Sequence, residues 1–400
     1  MDDFLISSVD EAVNVFDFEA LAKANSLPEH WEYLAMGTGD HLTLEANREG
    51  FRRLQVRVRR LADIGGGSLS GVDMSTEIFG ERWNTPLFLC PVASLRGYHT
   101  QGEVGAARAA GTRGTTVMQS TVSSNSVEEI NEGLSQVGAD PVWYQLYTLP
   151  EWNQTLSTIR RVEAAGCRYL LWTIDNIAGG KRETLRRALG PDGYNQPLCQ
   201  ECHEHEPGYT KPMRRDLPEP SGERPEQNWD YLQRLKDATD MRIILKGINH
   251  REDAERAVEL GADGIYVSNH GGRTEESYRP AIFDLPEVAA GVDGRVPVFF
   301  DSGVRRGGDM FKALALGADA VGIGRPYVWG LTGFGQPGVE GVIDMLNNEL
   351  RLVMGQAGTT SIDAITSDYV EWDPYHVLRH TPQGIPRNPP PSRSPAGGLP

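Results

Sequence analysis

The chain has 400 residues, 39% hydrophobic and 24% charged, with a formal net charge of −16. That balance belongs to a folded globular protein with a sizeable core and excludes a fibrous or disordered class. The acidity, without any basic run or stripe, excludes a nucleic-acid partner, so an anionic substrate would need local arginines.

Residues 1–85 carry a helical pattern around FEALAKANSLPEHWEYLAMG and are expected to form a helical segment packed over one end of the main domain. From residue 86 on, short apolar or β-branched runs alternate with segments of helical period, the pattern of parallel strands joined by crossover helices. Eight runs stand out, near Leu87, Val117, Tyr144, Leu171, Leu245, Val267, Phe299 and Gly322. Eight predicts an α/β fold of the (β/α)8 TIM-barrel type over residues 86–380. Stretches such as TQGEVGAARAAGTRG and REDAERAVELGAD read as its outer helices. Residues 188–227, after the fourth strand, are too long and too rich in Pro, Gly, Glu and His for an ordinary connection. They are expected to be a lid or disordered, and residues 381–400 a disordered tail.

No stretch approaches the roughly 20 apolar residues of a membrane helix. The N-terminus MDDFLISSVDEAVNVFDF lacks the parts of a signal peptide, so no membrane is expected and a cytoplasmic location is. Four cysteines are too few for a disulfide scaffold, and Cys90 and Cys167 read as reduced core thiols. Cys199, Cys202, His203 and His205 superficially resemble a zinc site but lack a second ligand pair, so no metal is expected.

In a (β/α)8 barrel the active site lies at the C-terminal strand ends. Here strand three ends in Gln145 and Tyr147, strand four in Thr173 and Asp175, strand five in Lys246, strand six in Ser268, Asn269 and His270, and strand seven in Asp301. In SNHGGR the glycines let backbone approach a flat ligand, His270 can take a proton near neutral pH, and Arg273 can grip a carboxylate. In TIDNIAGGKRE, Asp175 would orient His270 and Arg182 would be a second clamp; the plain alternative pairs Arg182 with Glu183 at a helix start. FFDSGVRRGGD and GIGRP place Gly303, Arg305, Gly324 and Arg325 where such barrels often bind phosphate. A flavin mononucleotide would fit, with Lys246 against its reduced ring, although a lysine ending a strand can also be an ordinary salt bridge.

Taken in this order, these segments closely resemble the FMN-dependent 2-hydroxy acid oxidase and dehydrogenase family, which includes glycolate oxidase, lactate oxidase and mandelate dehydrogenase. SNHGGR is the most specific piece, supported by PVA, QLY, LKG and DSGVRRGGDMFKALALGA. The resemblance implies FMN as cofactor, His270 as base with Asp175 as its partner, and Arg182, Arg273 and Tyr33 on the substrate carboxylate. It places Tyr147 near the substrate hydroxyl and Lys246 beside the flavin. It puts Pro91, Val92, Ala93, Ser120, Gln145, Thr173 and Ser268 around the cofactor, and Asp301, Gly303, Arg305, Gly324 and Arg325 at its ribityl phosphate. The implied reaction is oxidation of an (S)-2-hydroxy acid to the 2-oxo acid, with O2 reoxidising the flavin to give H2O2, in a homotetramer. A dehydrogenase serving a quinone or carrier is the first alternative. A non-redox FMN-barrel isomerase is the second, and it would not need the histidine and two arginines. Three positions depart from the family pattern. Ser302 replaces a glycine, TEES (Thr274, Glu275, Glu276) replaces QLD, and Val122 replaces an aromatic, which suggests an aryl or longer-chain acid, with lactate still admissible.

Overall fold

The computed structural model describes residues 5–64, 69–190 and 211–373. The zinc-like cluster, the middle of the long loop and the tail therefore lie outside the described residues. Helices α1 (Val15–Asn25), α2 (Pro28–Ala35) and α3 (Leu42–Arg52) come first. α1 starts where the Asn14 side chain accepts from Phe16 N and the Asp17 carboxylate returns the bond to Asn14 N, a capping box. The segment before residue 86 is not only helical: strand β1 (Leu54–Val56) and a hairpin of β2 (Thr76–Ile78) and β3 (Glu81–Trp83) come after these helices.

Eight parallel strands then close into a barrel: β4 (Leu87–Leu89), β5 (Thr116–Ser120), β6 (Trp143–Leu146), β7 (Tyr169–Thr173), β8 (Arg242–Lys246), β9 (Gly264–Val267), β10 (Val298–Phe300) and β11 (Ala320–Ile323). They coincide with the eight apolar runs of the sequence, and β11 pairs back on β4 with Val321 beside Leu87. Helices α4 (Gly102–Thr112), α5 (Val127–Ser135) and α6 (Trp152–Ala164) join the first strands. α7 (Glu183–Leu189) and α8 (Trp229–Ala238) lie between β7 and β8, and α9 (Arg251–Glu259), α10 (Ala281–Val292) and α11 (Gly307–Ala315) complete the ring. After β11 come α12 (Arg325–Phe334), α13 (Gln336–Ala357) and β12 (Val370–Trp372), which pairs antiparallel with β1.

The barrel interior is packed, not hollow. Phe88, Met118, Trp143, Leu171, Ile244, Tyr266 and Phe299 meet Ile78 and Trp83 of the hairpin, which closes the N-terminal end. Trp143 stacks on Tyr169 with ring centroids 4.0 Å apart. Phe299 has no exposed surface and meets Phe79, Trp83, Phe88, Trp143 and Tyr266. Phe299→Ala is expected to cost about 3–5 kcal/mol, read as a lower urea midpoint at unchanged slope.

Strand side chains alternate, so the residue two places beyond an inward one points inward again, nearer the C-terminal rim. From this floor the rule leads to Cys90, Ser120, Gln145, Thr173, Lys246, Ser268 and Asp301. Apolar floor and polar rim are therefore written on the same face of the same strands.

Candidate active site

A cavity of about 490 Å3 opens at the C-terminal rim, a size usual for cofactor and substrate sites. His270 lies just beyond β9 with φ 56° and contributes to its wall. Its Nδ1 is 2.9 Å from Asp175 Oδ1, and its Nε2 is 3.3 Å from the Tyr147 hydroxyl. An ionised carboxylate only accepts, so Nδ1 carries the proton and Nε2 is left as the basic nitrogen. Burial disfavours the imidazolium and, despite the help of Asp175, holds His270 below its ordinary 6.5. The ring is therefore a neutral base at neutral pH. Burial raises the Tyr147 phenol, with Asp175 adding to it, so Tyr147 stays protonated.

Behind the histidine lies a chain of buried charges. Lys246 Nζ is 3.4 Å from Asp175 Oδ2 and 2.9 Å from Ser268 Oγ. The Ser268 hydroxyl donates to Asp301 Oδ1 at 2.6 Å, and the Tyr266 hydroxyl donates to Asp301 Oδ2 at 2.8 Å. Burial opposes the ammonium, but Asp175 and then Asp301 outweigh it and hold Lys246 above the usual lysine range. Burial likewise opposes the Asp175 carboxylate, and Lys246 with His270 outweighs it, bringing Asp175 down to about 2. Both groups stay charged across the working pH range, each because of the other.

At the other end the cavity is built for an anion. α12 begins at Gly324, on the cavity wall, without any side-chain cap, whereas the start of α11 is capped by Asp309 and by Glu349 on Gly307 N. Arg305 is 7% exposed, forms no ion pair among the described residues, and is pulled down to about 10 by burial and by Arg48. A buried guanidinium beside an uncapped helix start fits a phosphate monoester such as that of FMN. Gly303 has φ 94°, and a Cβ there would lie 2.6 Å from Asn47 O, so only glycine allows this loop to pass. Arg305→Met is expected to weaken FMN binding about 10- to 100-fold, seen as colour lost on gel filtration and restored by added FMN.

The N-terminal segment completes the wall. Arg273 Nη1 donates to Tyr33 O at 2.6 Å and Leu34 O at 3.2 Å, its guanidinium lies 4.9 Å from the Tyr33 ring, and both residues line the cavity. Arg325 donates from three nitrogens to Leu34 O, Gly271 O and Met36 O. Its side chain thus ties the first helices to the His270 loop. Arg182 also lines the cavity and forms no ion pair among the described residues. The plain alternative does not hold, because Glu183 is taken by Lys181 at 2.7 Å and Arg187 at 3.3 Å.

Of the residues expected at the site, Pro91, Val92, Ala93, Ser120, Thr173, Lys246, Asp301, Gly303 and Gly324 line the cavity with those already placed there. Asp175, Gln145 and Ser268 stand behind that wall: Gln145 donates to Thr173 Oγ1 at 2.8 Å, and the other two hold His270 and Lys246. Two departures from the family pattern acquire roles. Ser302, at φ 83°, accepts from Asn269 N at 3.2 Å and Gly271 N at 3.1 Å and donates to Asp301 at 2.8 Å, bracing the histidine loop. Glu276 accepts from Asp40 N at 2.6 Å, fixing the turn into α3. Sequence reasoning missed Asn47, whose amide pairs with that of Asn269 at 2.8 Å, and Arg48, which bonds Gly303 O and Asp309. It also missed Tyr266, whose position on the inward face of β9 was the available signal. Arg214 and Gln227, on the cavity wall after the long loop, had no local signal at all.

Eight parallel strands with a His–Asp pair, two carboxylate-ready arginines and an uncapped helix terminus on one rim define an α/β-barrel enzyme for phosphate-bearing cofactors and anionic substrates. The chain belongs to the FMN-dependent 2-hydroxy acid oxidase and dehydrogenase family: the profile described as FMN-dependent dehydrogenase matches residues 22–372, and FMN is its cofactor. It is 35% identical to an L-lactate oxidase of Nostoc sp., over 91% of this chain and 100% of that one. It is 37% identical to a 4-hydroxymandelate oxidase of Amycolatopsis orientalis, over 88% and 96%. The crystal structure of a mandelate oxidase with (S)-2-phenylpropionate superposes with a TM-score of 0.77 at 37% identity, covering 88% of this chain and 97% of that one. Among the described residues no helix is long and apolar enough to cross a membrane, and no cluster of metal-ligating side chains occurs.

Proposed function

We propose that this protein oxidises an (S)-2-hydroxy acid to the 2-oxo acid and delivers the electrons to oxygen. The observation that carries the reading is the His270 ring, held at Nδ1 by Asp175 and presenting Nε2 beside Tyr147 on a wall that also presents Arg182 and Arg273. Bound FMN supplies the two-electron acceptor that passes its electrons to O2, yielding H2O2. Arg305 and the α12 N-terminus would hold its phosphate, and the Pro91–Ala93 segment, Ser120, Gln145 and Thr173 would surround its ring.

Arg182 and Arg273, with Tyr33, grip the substrate carboxylate by charge-assisted hydrogen bonds and so fix which face of the α-carbon is presented. The Tyr147 phenol, kept protonated by burial, donates to the substrate hydroxyl oxygen. His270 Nε2 accepts the proton that the substrate releases, and Asp175 stabilises the imidazolium that results. Lys246, held charged by its two carboxylates, would offer a positive charge to the bound cofactor. The names of the relatives favour an oxidase over a dehydrogenase. The same reading makes the protein a cytoplasmic homotetramer, which light scattering of the purified protein and cell fractionation would check.

The test is an anaerobic titration of the yellow protein with (S)-2-hydroxy acids from glycolate through lactate to mandelate, watching the flavin absorbance. Bleaching by at least one acid, with colour and peroxide appearing on admission of air, is expected. Protein that no 2-hydroxy acid bleaches would overturn the reading in favour of a non-redox FMN enzyme.

A further inference from the structure

Among the described residues the basic ones lining the cavity are Arg182, Arg214, Lys246, Arg273, Arg305 and Arg325, whereas Asp301 is the single acidic one. Most of these cations have a match. Lys246 faces Asp175 directly and Asp301 through Ser268. Arg325 is spent on the carbonyls of Leu34, Gly271 and Met36, and Arg305 would face the cofactor phosphate, which carries about two negative charges at neutral pH. Arg182 and Arg273 share one substrate carboxylate under the function proposed above. Arg214 is left over: it forms no ion pair among the described residues.

Arg214 itself is exposed, and the backbone turn that carries it is fixed. Arg214 ends a short turn, Pro212–Arg214, whose neighbour Met213 is 1% exposed and accepts from Val127 N through its sulfur at 3.3 Å. Pro212 O accepts from Arg161 Nη1 at 2.9 Å, and Lys211 Nζ donates to Ser94 Oγ at 2.7 Å, beside the cofactor segment. The charge of Arg214 reaches Tyr144, while that of Arg273 reaches Tyr147, His270 and Arg325, so the two guanidiniums occupy different parts of the wall. Gln227, also exposed, lines the same cavity just before α8, where Asn228 caps Asp230 N and Tyr231 N. Val122 and Ile177 add apolar lining that suits methylene carbons.

We propose that Arg214, assisted by Gln227, is a specificity-determining residue that receives a second anionic group, and that the substrate is a 2-hydroxydicarboxylate rather than a monocarboxylate. This rests on the hydroxy-acid reading. A guanidinium on the wall with no ion partner among the described residues rewards a ligand that brings a second carboxylate and gives nothing to one that ends in a methyl group.

The experiment uses holoenzyme and two inert ligands without an α-hydrogen, 2-hydroxy-2-methylbutanedioate and 2-hydroxyisobutyrate, whose binding is read from the perturbed flavin spectrum. The diacid is expected to bind at least about tenfold more tightly. In Arg214→Leu the ratio of the two dissociation constants should fall at least about tenfold, and Arg214→Lys should recover part of it. In parallel, (S)-malate should bleach the wild-type flavin at lower concentration than (S)-2-hydroxybutyrate. Equal binding of the two ligands to wild type, or an unchanged ratio in Arg214→Leu, overturns the inference while bleaching by monoacids leaves the reaction standing. Bleaching by no 2-hydroxy acid overturns both.

Discussion

Purified His270→Ala is expected to remain yellow and to have its flavin bleached about 10³- to 10⁴-fold more slowly by the best substrate. The ring is the one group on the wall whose free nitrogen is basic at neutral pH, because Asp175 holds Nδ1–H at 2.9 Å. Removing it leaves Arg305 untouched, since that residue bonds Val304 O and Asp309 rather than His270. The buried Lys246–Asp175 pair also survives, at 3.4 Å. Residue 270 sits at φ 56°, which costs an alanine about 1 kcal/mol. His270→Gln serves as a second variant that keeps a hydrogen bond to Asp175. Stopped-flow bleaching at wild-type speed in either variant would remove His270 from the chemistry.

Asp175→Asn should lower kcat about 10²- to 10³-fold and move the acid limb of the pH profile of kcat/KM. In the wild type that limb lies below 6.5, because burial holds the His270 ring down. Asp175 opposes this effect, so its loss lowers the histidine further and the limb shifts to lower pH. The same substitution leaves the buried Lys246 with Asp301 alone, at one remove through Ser268, and should destabilise the fold by about 3–5 kcal/mol. The stability profile supplies a second sign. The Asp175 carboxylate titrates near 2 in the native state against 3.8 ordinarily, so the wild type loses this contribution as pH falls from about 3.8 to about 2, and the variant has none to lose. A limb that moves upward, or stays in place, would show that Asp175 does not govern the ring.

The barrel was legible because each strand is a short run whose inward residues are apolar and whose next inward residue is polar. Trp143 then Gln145, Leu171 then Thr173, and Tyr266 then Ser268 all keep one parity. SNHGGR was legible for the same reason, since its chemistry is local. What could not be read is what depends on long-range pairing. Arg325 looks in sequence like a phosphate ligand, yet its guanidinium is spent on carbonyls of residues 34 and 36, 291 and 289 positions away. Glu276 has no local partner and gains one in Asp40 N, 236 positions away. The strands before residue 86 were too short to show a period, and Arg214 reaches the cavity by tertiary packing alone.

The route by which the chain becomes active is set by where its first helices dock. Tyr33 and Leu34 are fixed by Arg273 and Arg325, and β1 is paired by β12. The first fifty-six residues therefore leave the ribosome long before Arg273, Arg325 and β12 exist. Contacts of such sequence separation are slow to form, and the waiting segment exposes Val15, Phe18 and Phe51, all destined for the interior. Nascent chains should accordingly be least soluble just before synthesis passes residue 325, and competence to take up cofactor should arrive late and all at once.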